Sequence, residues 1–249
     1  MKTSGNTILV TGGGSGIGRE LARRWADAGN QVIVAGRRQD ALDETKGDRD
    51  SITAYAVDVD DPAALQNFVE RVTTEHPQLN VLVNNAGIMR QEDPRSKRDL
   101  SDAEATIATN LLGPIRLIDA LVDHLTAQPD AAIVNVTSGL ATVPQPLFAT
   151  YSATKAALHS YTISLRNRLM DKIEVIELVP PGVQTDLTPG QATRQGYMPL
   201  NEFIDEVMSL FGQQPTPSEI LVERVKGFRF AEKDGSVEEK AAILANMPR

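Results

Sequence analysis

The chain has 249 residues, 41% of them hydrophobic and 23% charged, with no cysteine and a formal net charge of −8. That length supports one α/β domain with a substantial core, and the acidic balance argues against a general affinity for nucleic acid or an anionic membrane. The absence of thiols excludes disulfides, thiolate catalysis and thiolate metal sites, and His76, His124 and His159 show no metal-ligand spacing.

Short β-branched runs alternate with longer amphipathic ones, the pattern of a parallel sheet covered by helices on both faces. Strands are predicted near 6–11, 31–36, 52–57, 79–84, 130–137 and 173–179, and helices near 16–29, 39–46, 61–76, 99–127 and 151–170. No linker or repeat divides the chain, so residues 1–249 read as a single domain. Met1 leads straight into a strand-like run without a signal-peptide pattern, and no apolar run approaches the length of a membrane span. The expected compartment is the cytoplasm.

The first strand runs into Thr11-Gly12-Gly13-Gly14-Ser15-Gly16-Ile17-Gly18, and then into a helical segment. A turn without side chains lets backbone N–H groups approach a pyrophosphate, and the following helix adds its positive dipole end. Thr11, Gly12, Gly14, Ser15, Gly16, Ile17 and Gly18 are therefore candidate nucleotide contacts, with a merely flexible turn as the alternative. After the second strand, Gly36 stands where an NAD site carries a carboxylate, and Arg37 and Arg38 follow. Without that carboxylate a 2′-phosphate is not repelled, and a guanidinium can bind it through two hydrogen bonds, which favours NADP(H). Two solvated surface arginines would look the same. Asp58, followed by Val59, could accept from the adenine amino group, or could equally be a turn or cap residue before Asp61-Pro62.

Tyr151 and Lys155 are four residues apart on a predicted helix, with Ser138 thirteen residues before the tyrosine. An ammonium beside a phenol favours phenolate and would bring its pKa toward the working range, while Ser138 could hold a substrate oxygen. A tyrosine and a lysine one turn apart also occur by chance, and Ser138 could be a turn serine before Gly139. Ser138 lacks the G-x-S-x-G elbow of a hydrolase.

Together, TGGGSGIG, Asp58, Asn84-Asn85-Ala86-Gly87, Asn110, Ser138 and Tyr151 to Lys155 resemble the short-chain dehydrogenase/reductase family in order and spacing over about the first 190 residues. Within it, the runs MKTSGNTILVTGG, NLLGPIRLI and ATKAALHSYT are most similar to the DltE-like oxidoreductases. The resemblance implies a Rossmann-type doubly wound parallel β-sheet, with Asn84, Ala86 and Gly87 beside the cofactor. It implies that Asn110 bends its helix and holds a proton-relaying water, that Ser138 orients a carbonyl, and that Lys155 binds the nicotinamide ribose while Tyr151 transfers the proton. Pro181, Val183 and Thr185 would meet the carboxamide, although proline replaces the family's usual glycine at 181 and changes any backbone contact there.

Residues 186–217 are expected to form a helical substrate lid. Its apolar residues, with Ile88, Met89, Leu140, Val143, Leu147 and Phe148, would line the pocket, although helical apolar stripes are more often core. The charged loop Arg90 to Arg98 lengthens one wall, either selecting substrates or serving as solvated surface. Residues 218–249 are expected to form a helical C-terminus with two helices, the second from Val237 to Met247, and no seventh strand. That puts the family's usual tetramer in doubt and leaves a homodimer through helices 99–127 and 151–170. The implied function is NADPH-dependent reduction of a small carbonyl compound, reversible as alcohol oxidation. The alternatives are a dehydratase or epimerase, or an NADP(H)-binding sensor without chemistry.

Overall fold

A computed structural model describes residues 1–246. Seven parallel strands form one sheet: β1 (Thr7–Thr11), β2 (Gln31–Gly36), β3 (Ile52–Ala56), β4 (Leu79–Asn84), β5 (Ala132–Val136), β6 (Glu174–Leu178) and β7 (Glu219–Ile220), in the order β3-β2-β1-β4-β5-β6-β7. The chain winds outward from β1 through β2 to β3, then crosses to β4 on the other side of β1. The strand order therefore reverses between β1 and β4, where ligands bind in doubly wound sheets.

The central strands are buried on both faces, which explains their continuous apolar runs. Alternation along β1 divides the core. Ile8 and Val10 pack on one face with Leu21 and Trp25 of α1 (Gly16–Asp27), whereas Leu9 packs on the other with Val72 of α3 (Pro62–Glu75) and Leu121 of α5 (Gly113–Thr126). A short α2 (Gln39–Lys46) follows β2. Asp61 caps α3 by accepting from the Ala63 and Ala64 N–H groups at 2.9 and 3.1 Å, with Pro62 opening the helix.

The expected helix over 99–127 runs from α4 (Ser101–Ile107) through a π-helical turn (Ala108–Leu112) into α5. At 26 residues and a mean hydropathy of 1.3 in its most apolar window, this segment is long and apolar enough to cross a membrane, contrary to expectation. The expectation weighed uninterrupted apolar runs, and this helix reaches the average with polar residues interspersed. Its apolar residues Leu117, Ile118, Leu121 and Leu125 are buried against the sheet, as in a core helix.

A seventh strand does form, correcting the expectation that it would be missing. Two residues suffice, because Glu219 and Ile220 pair with Glu177 and Leu178 and the Ile220 side chain is fully buried. The two C-terminal helices are α8 (Glu223–Arg229) and α9 (Val237–Ala245), and the expected end of the second at Met247 lies outside the described residues. The expected lid divides in two. Its helix, α7 (Leu200–Phe211), buries Phe203, Ile204, Val207 and Phe211 against α1, with Phe211 edge-on to Trp25 at 5.6 Å between ring centroids. These four side chains belong to the core cluster.

Candidate active site

The site forms where β1, β4 and β5 end. Thr11 ties the first two together: its hydroxyl donates to the Val83 carbonyl at 3.3 Å and accepts from the Asn85 and Ala86 N–H groups, each at 3.1 Å. The Asn85 amide donates to the Thr11 and Gly12 carbonyls. Neither Gly12 nor Gly18 has room for a Cβ at this junction. Gly12 has a φ of 64°, and a Cβ there would sit 2.9 Å from the Ala86 Cα; a Cβ on Gly18 would sit 2.4 Å from the Gly12 carbonyl. The turn is thus pressed against the end of β4, and α1 begins with no side-chain cap at Ser15.

Beside this turn lies a cavity of about 180 Å³, lined by Gly12, Gly14, Ser15, Arg37, Arg38, Asp58, Val59, Ala86 and Gly87 from the expected set. Ile88, expected in the substrate pocket, joins them, as do Asp60 and Thr109, which were not anticipated. Thr109 donates to Asp60 Oδ2 at 2.6 Å, while Asp60 Oδ1 is buried without a partner among the described residues. Arg37 and Arg38 are exposed at the cavity rim, and no carboxylate pairs with either among the described residues. The donor set fits a phosphorylated dinucleotide: a backbone cradle and helix start for phosphate, free guanidinium groups beyond, and carboxylates for a base amino group.

Thr11, Gly16, Ile17, Gly18 and Asn84 stand outside this cavity. Asn84 instead donates from its amide to Asn135 Oδ1 at 2.9 Å, and Asn135 donates on to the Thr162 hydroxyl at 2.9 Å. It is a buried polar link between β4 and β5, at a register where the two asparagines are partners. A larger open groove of about 480 Å³ lies at the opposite end of the sheet, near Met1, Arg166 and Glu174, far from these residues.

Ser138 follows β5, and Tyr151 and Lys155 lie on α6 (Ala149–Leu169); all three are buried. Burial pushes the Tyr151 phenol up to about 12, the Ser138 hydroxyl hydrogen bonded to it pulls it down, and Tyr197 adds a further upward push. Lys155 donates to the Val136 carbonyl at 2.7 Å and stands 5.7 Å from the centre of the Tyr151 ring. Burial lowers its own pKa to about 8. Burial, rather than the expected depression by the neighbouring ammonium, therefore sets the direction of the phenol's shift.

Asn110 completes the group. It is fully buried in the π-helical turn, where Oδ1 accepts from the Ile88 N–H at 2.8 Å and Nδ2 donates to the Ile88 carbonyl at 2.9 Å. Its amide also donates to the Thr154 hydroxyl at 3.3 Å. A Cβ on Gly87 would lie 3.3 Å from Asn110 Oδ1 and 3.8 Å from Lys155 Nζ, so the cofactor edge, the widened turn and the lysine converge.

The chain leaving β6 arches over this end. Val183 is buried, and the Thr185 side chain would meet a Cβ on Gly16 at 3.4 Å, which places it against the glycine turn. Gln191 donates to the Val183 carbonyl at 2.8 Å and to the Thr185 hydroxyl at 3.1 Å. Pro181 sits half-buried beside Gly182, whose Cα side is covered by the Tyr197 ring. Of the expected pocket residues, Val143 is fully buried and packs with Leu140 against Leu244 of α9, so the C-terminal helix buttresses the segment between Ser138 and Tyr151.

Comparison with known proteins agrees with this architecture. Residues 6–196 match the family model described as short chain dehydrogenase. The chain is 41% identical over 235 residues to an uncharacterized oxidoreductase, DltE, of Bacillus subtilis, covering 93% of each. It is 30% identical over 177 residues to the NADP-dependent 3-hydroxy acid dehydrogenase YdfG of Escherichia coli K12, covering 71% of each. A crystal structure of a short chain dehydrogenase from Burkholderia cenocepacia in complex with NADP superposes with a TM-score of 0.82 at 23% identity over the whole of both chains. A doubly wound sheet carrying a glycine cradle at its switch point defines a dinucleotide-dependent oxidoreductase, and the chain belongs to the short-chain dehydrogenase family.

Proposed function

We propose that this protein is an NADPH-dependent carbonyl reductase, reversible as a secondary alcohol dehydrogenase. The observation that carries the reading is the buried Ser138, Tyr151 and Lys155 group beside the dinucleotide cavity. The cofactor is NADP(H), supported by the unpaired Arg37 and Arg38 and by the cofactor named for the E. coli relative. When bound, its nicotinamide supplies or accepts the hydride. Ser138 polarises the substrate oxygen, and Tyr151, protonated at neutral pH, gives that oxygen its proton. Lys155 would hold the nicotinamide ribose, Asn110 would hold a water that relays the proton, and Gly12 to Gly16 with Ala86 and Gly87 would hold the pyrophosphate side. Val183 and Thr185 would meet the carboxamide.

The chain acts as one domain over 1–249, supported by the described strands all joining one sheet, with residues 186–217 as substrate lid. A cytoplasmic homodimer with a small carbonyl or alcohol substrate completes the reading.

The test follows reduced-nicotinamide absorbance with aromatic, cyclic and aliphatic ketones and a 3-keto acid, using NADPH and NADH. Turnover with NADPH that is lost in Tyr151→Phe, while NADPH binding stays within about threefold, is the expected result. Binding without turnover on any carbonyl would favour the sensor, dehydratase or epimerase readings instead.

A further inference from the structure

We propose that Glu92 is a positioning residue that caps the catalytic helix from a distant segment and ties the Arg90 to Arg98 loop to Tyr151; this rests on the reductase reading above. A helix start leaves N–H groups without intrahelical partners. At the start of α6 the N-cap residue is Phe148, which offers no side-chain acceptor. Glu92, 58 residues before Thr150, takes that role: Oε1 accepts from the Thr150 N–H, and Oε2 accepts from the Thr150 hydroxyl at 2.8 Å. Both carboxylate oxygens thus close on the residue immediately before Tyr151.

Two further contacts make the arrangement a built one. The Glu92 N–H donates to the Leu147 carbonyl at 3.0 Å, and Arg98 donates to Oε2. The Glu92 side chain is only 6% exposed, whereas Asp93 and Arg95, paired in the same loop, are 52% and 82% exposed. Burial alone would raise the Glu92 carboxyl, but the Thr150 and Arg98 donors outweigh it and hold the group below the ordinary glutamate range. One member of an otherwise solvated charged loop is therefore buried, ionised and bonded to the helix that presents the proton donor. Small displacements of a reacting group are costly, so the loop wall and Tyr151 must keep their register.

The experiment compares Glu92→Ala with Glu92→Gln, whose amide oxygen can still accept from Thr150. In Glu92→Ala, kcat for the carbonyl substrate should fall at least about tenfold with NADPH affinity within about twofold of wild type, and Glu92→Gln should recover to within about threefold. Hydrogen exchange supplies a readout that needs no turnover: in Glu92→Ala the amides of 149–152 should exchange at least about tenfold faster, with those of 155–165 unchanged. Unchanged exchange overturns the cap. Faster exchange with unchanged kcat overturns the positioning role, as does an equal loss of kcat and NADPH binding in both variants. If the wild type reduces no carbonyl, the reductase reading fails and the exchange measurement alone decides the cap.

Discussion

At Tyr151, burial and the Ser138 hydroxyl oppose each other, and burial prevails. With its pKa pushed up to about 12, the phenol stays protonated across neutral pH, the form that carbonyl reduction needs. Reduction should then be flat in pH from about 6 to 8 as far as the tyrosine is concerned, while alcohol oxidation, which needs phenolate, should climb steadily with pH. Rate profiles in the two directions check this. Lys155 gives a separate signature in stability. Its folded pKa of about 8 lies below the ordinary lysine value of 10.5, so between these values the unfolded chain holds the extra proton and stability rises with pH. The rise is on the order of 3 kcal/mol, and Lys155→Met should lose it in denaturant titrations at pH 7 and pH 10. At the cavity rim, Arg37→Ala or Arg38→Ala should each cost roughly tenfold or more in NADPH affinity and leave NADH binding unchanged, as measured by fluorescence titration.

At the level of elements, the glycine turn was legible because its chemistry is local: a strand, a side-chain-free bend and a helix start follow one another in sequence. Asn110 was less so. A lone asparagine in a helix reads as surface, so its bend was implied by the family resemblance alone, and the fold adds the π-helical turn at Ala108–Leu112 and the bonds to both backbone groups of Ile88. Asn84 shows the converse, since a motif that reads as cofactor contact spends its side chain on Asn135 inside the sheet. Periodicity in α7 was legible, but a stripe of apolar residues does not say which surface it meets, and here four of them meet the core. Phe203 is fully buried against α1. Phe203→Ala should therefore cost about 3–5 kcal/mol of stability by chemical denaturation while leaving the KM for a carbonyl substrate unchanged.

For the whole molecule, most of the large exposed apolar side chains fall on neighbouring elements, with Leu187, Phe230 and Ile243 elsewhere. Leu100, Ile107 and Leu112 on the α4 to α5 segment and Ile163 and Met170 on or beside α6 are 39–72% exposed, on elements that pack together through α4 and α6. This supports the proposed homodimer through these helices. Sedimentation velocity should give a dimer for the wild type, and Ile107→Glu should shift it to monomer without changing the folded spectrum. The short β7 closes the sheet edge after β6, and α8 and α9 then return over the segment between Ser138 and Tyr151. Gly139 marks that contact, since a Cβ there would lie 3.0 Å from Val225.

What the sequence determined by itself was everything governed by local pattern: alternating strands and helices, hence the parallel sheet; the glycine turn after β1; and the missing carboxylate followed by two arginines after β2. Each depends on residues within a few positions of one another, where steric and electrostatic requirements act directly. The tertiary structure decided what depends on burial and on distant partners. It made Tyr151 a protonated phenol by desolvation, placed α7 in the core, formed a seventh strand from two residues, and brought Glu92 to the helix start before Tyr151. Desolvation and long-range hydrogen bonds are properties of packing, and no run of neighbouring residues encodes them.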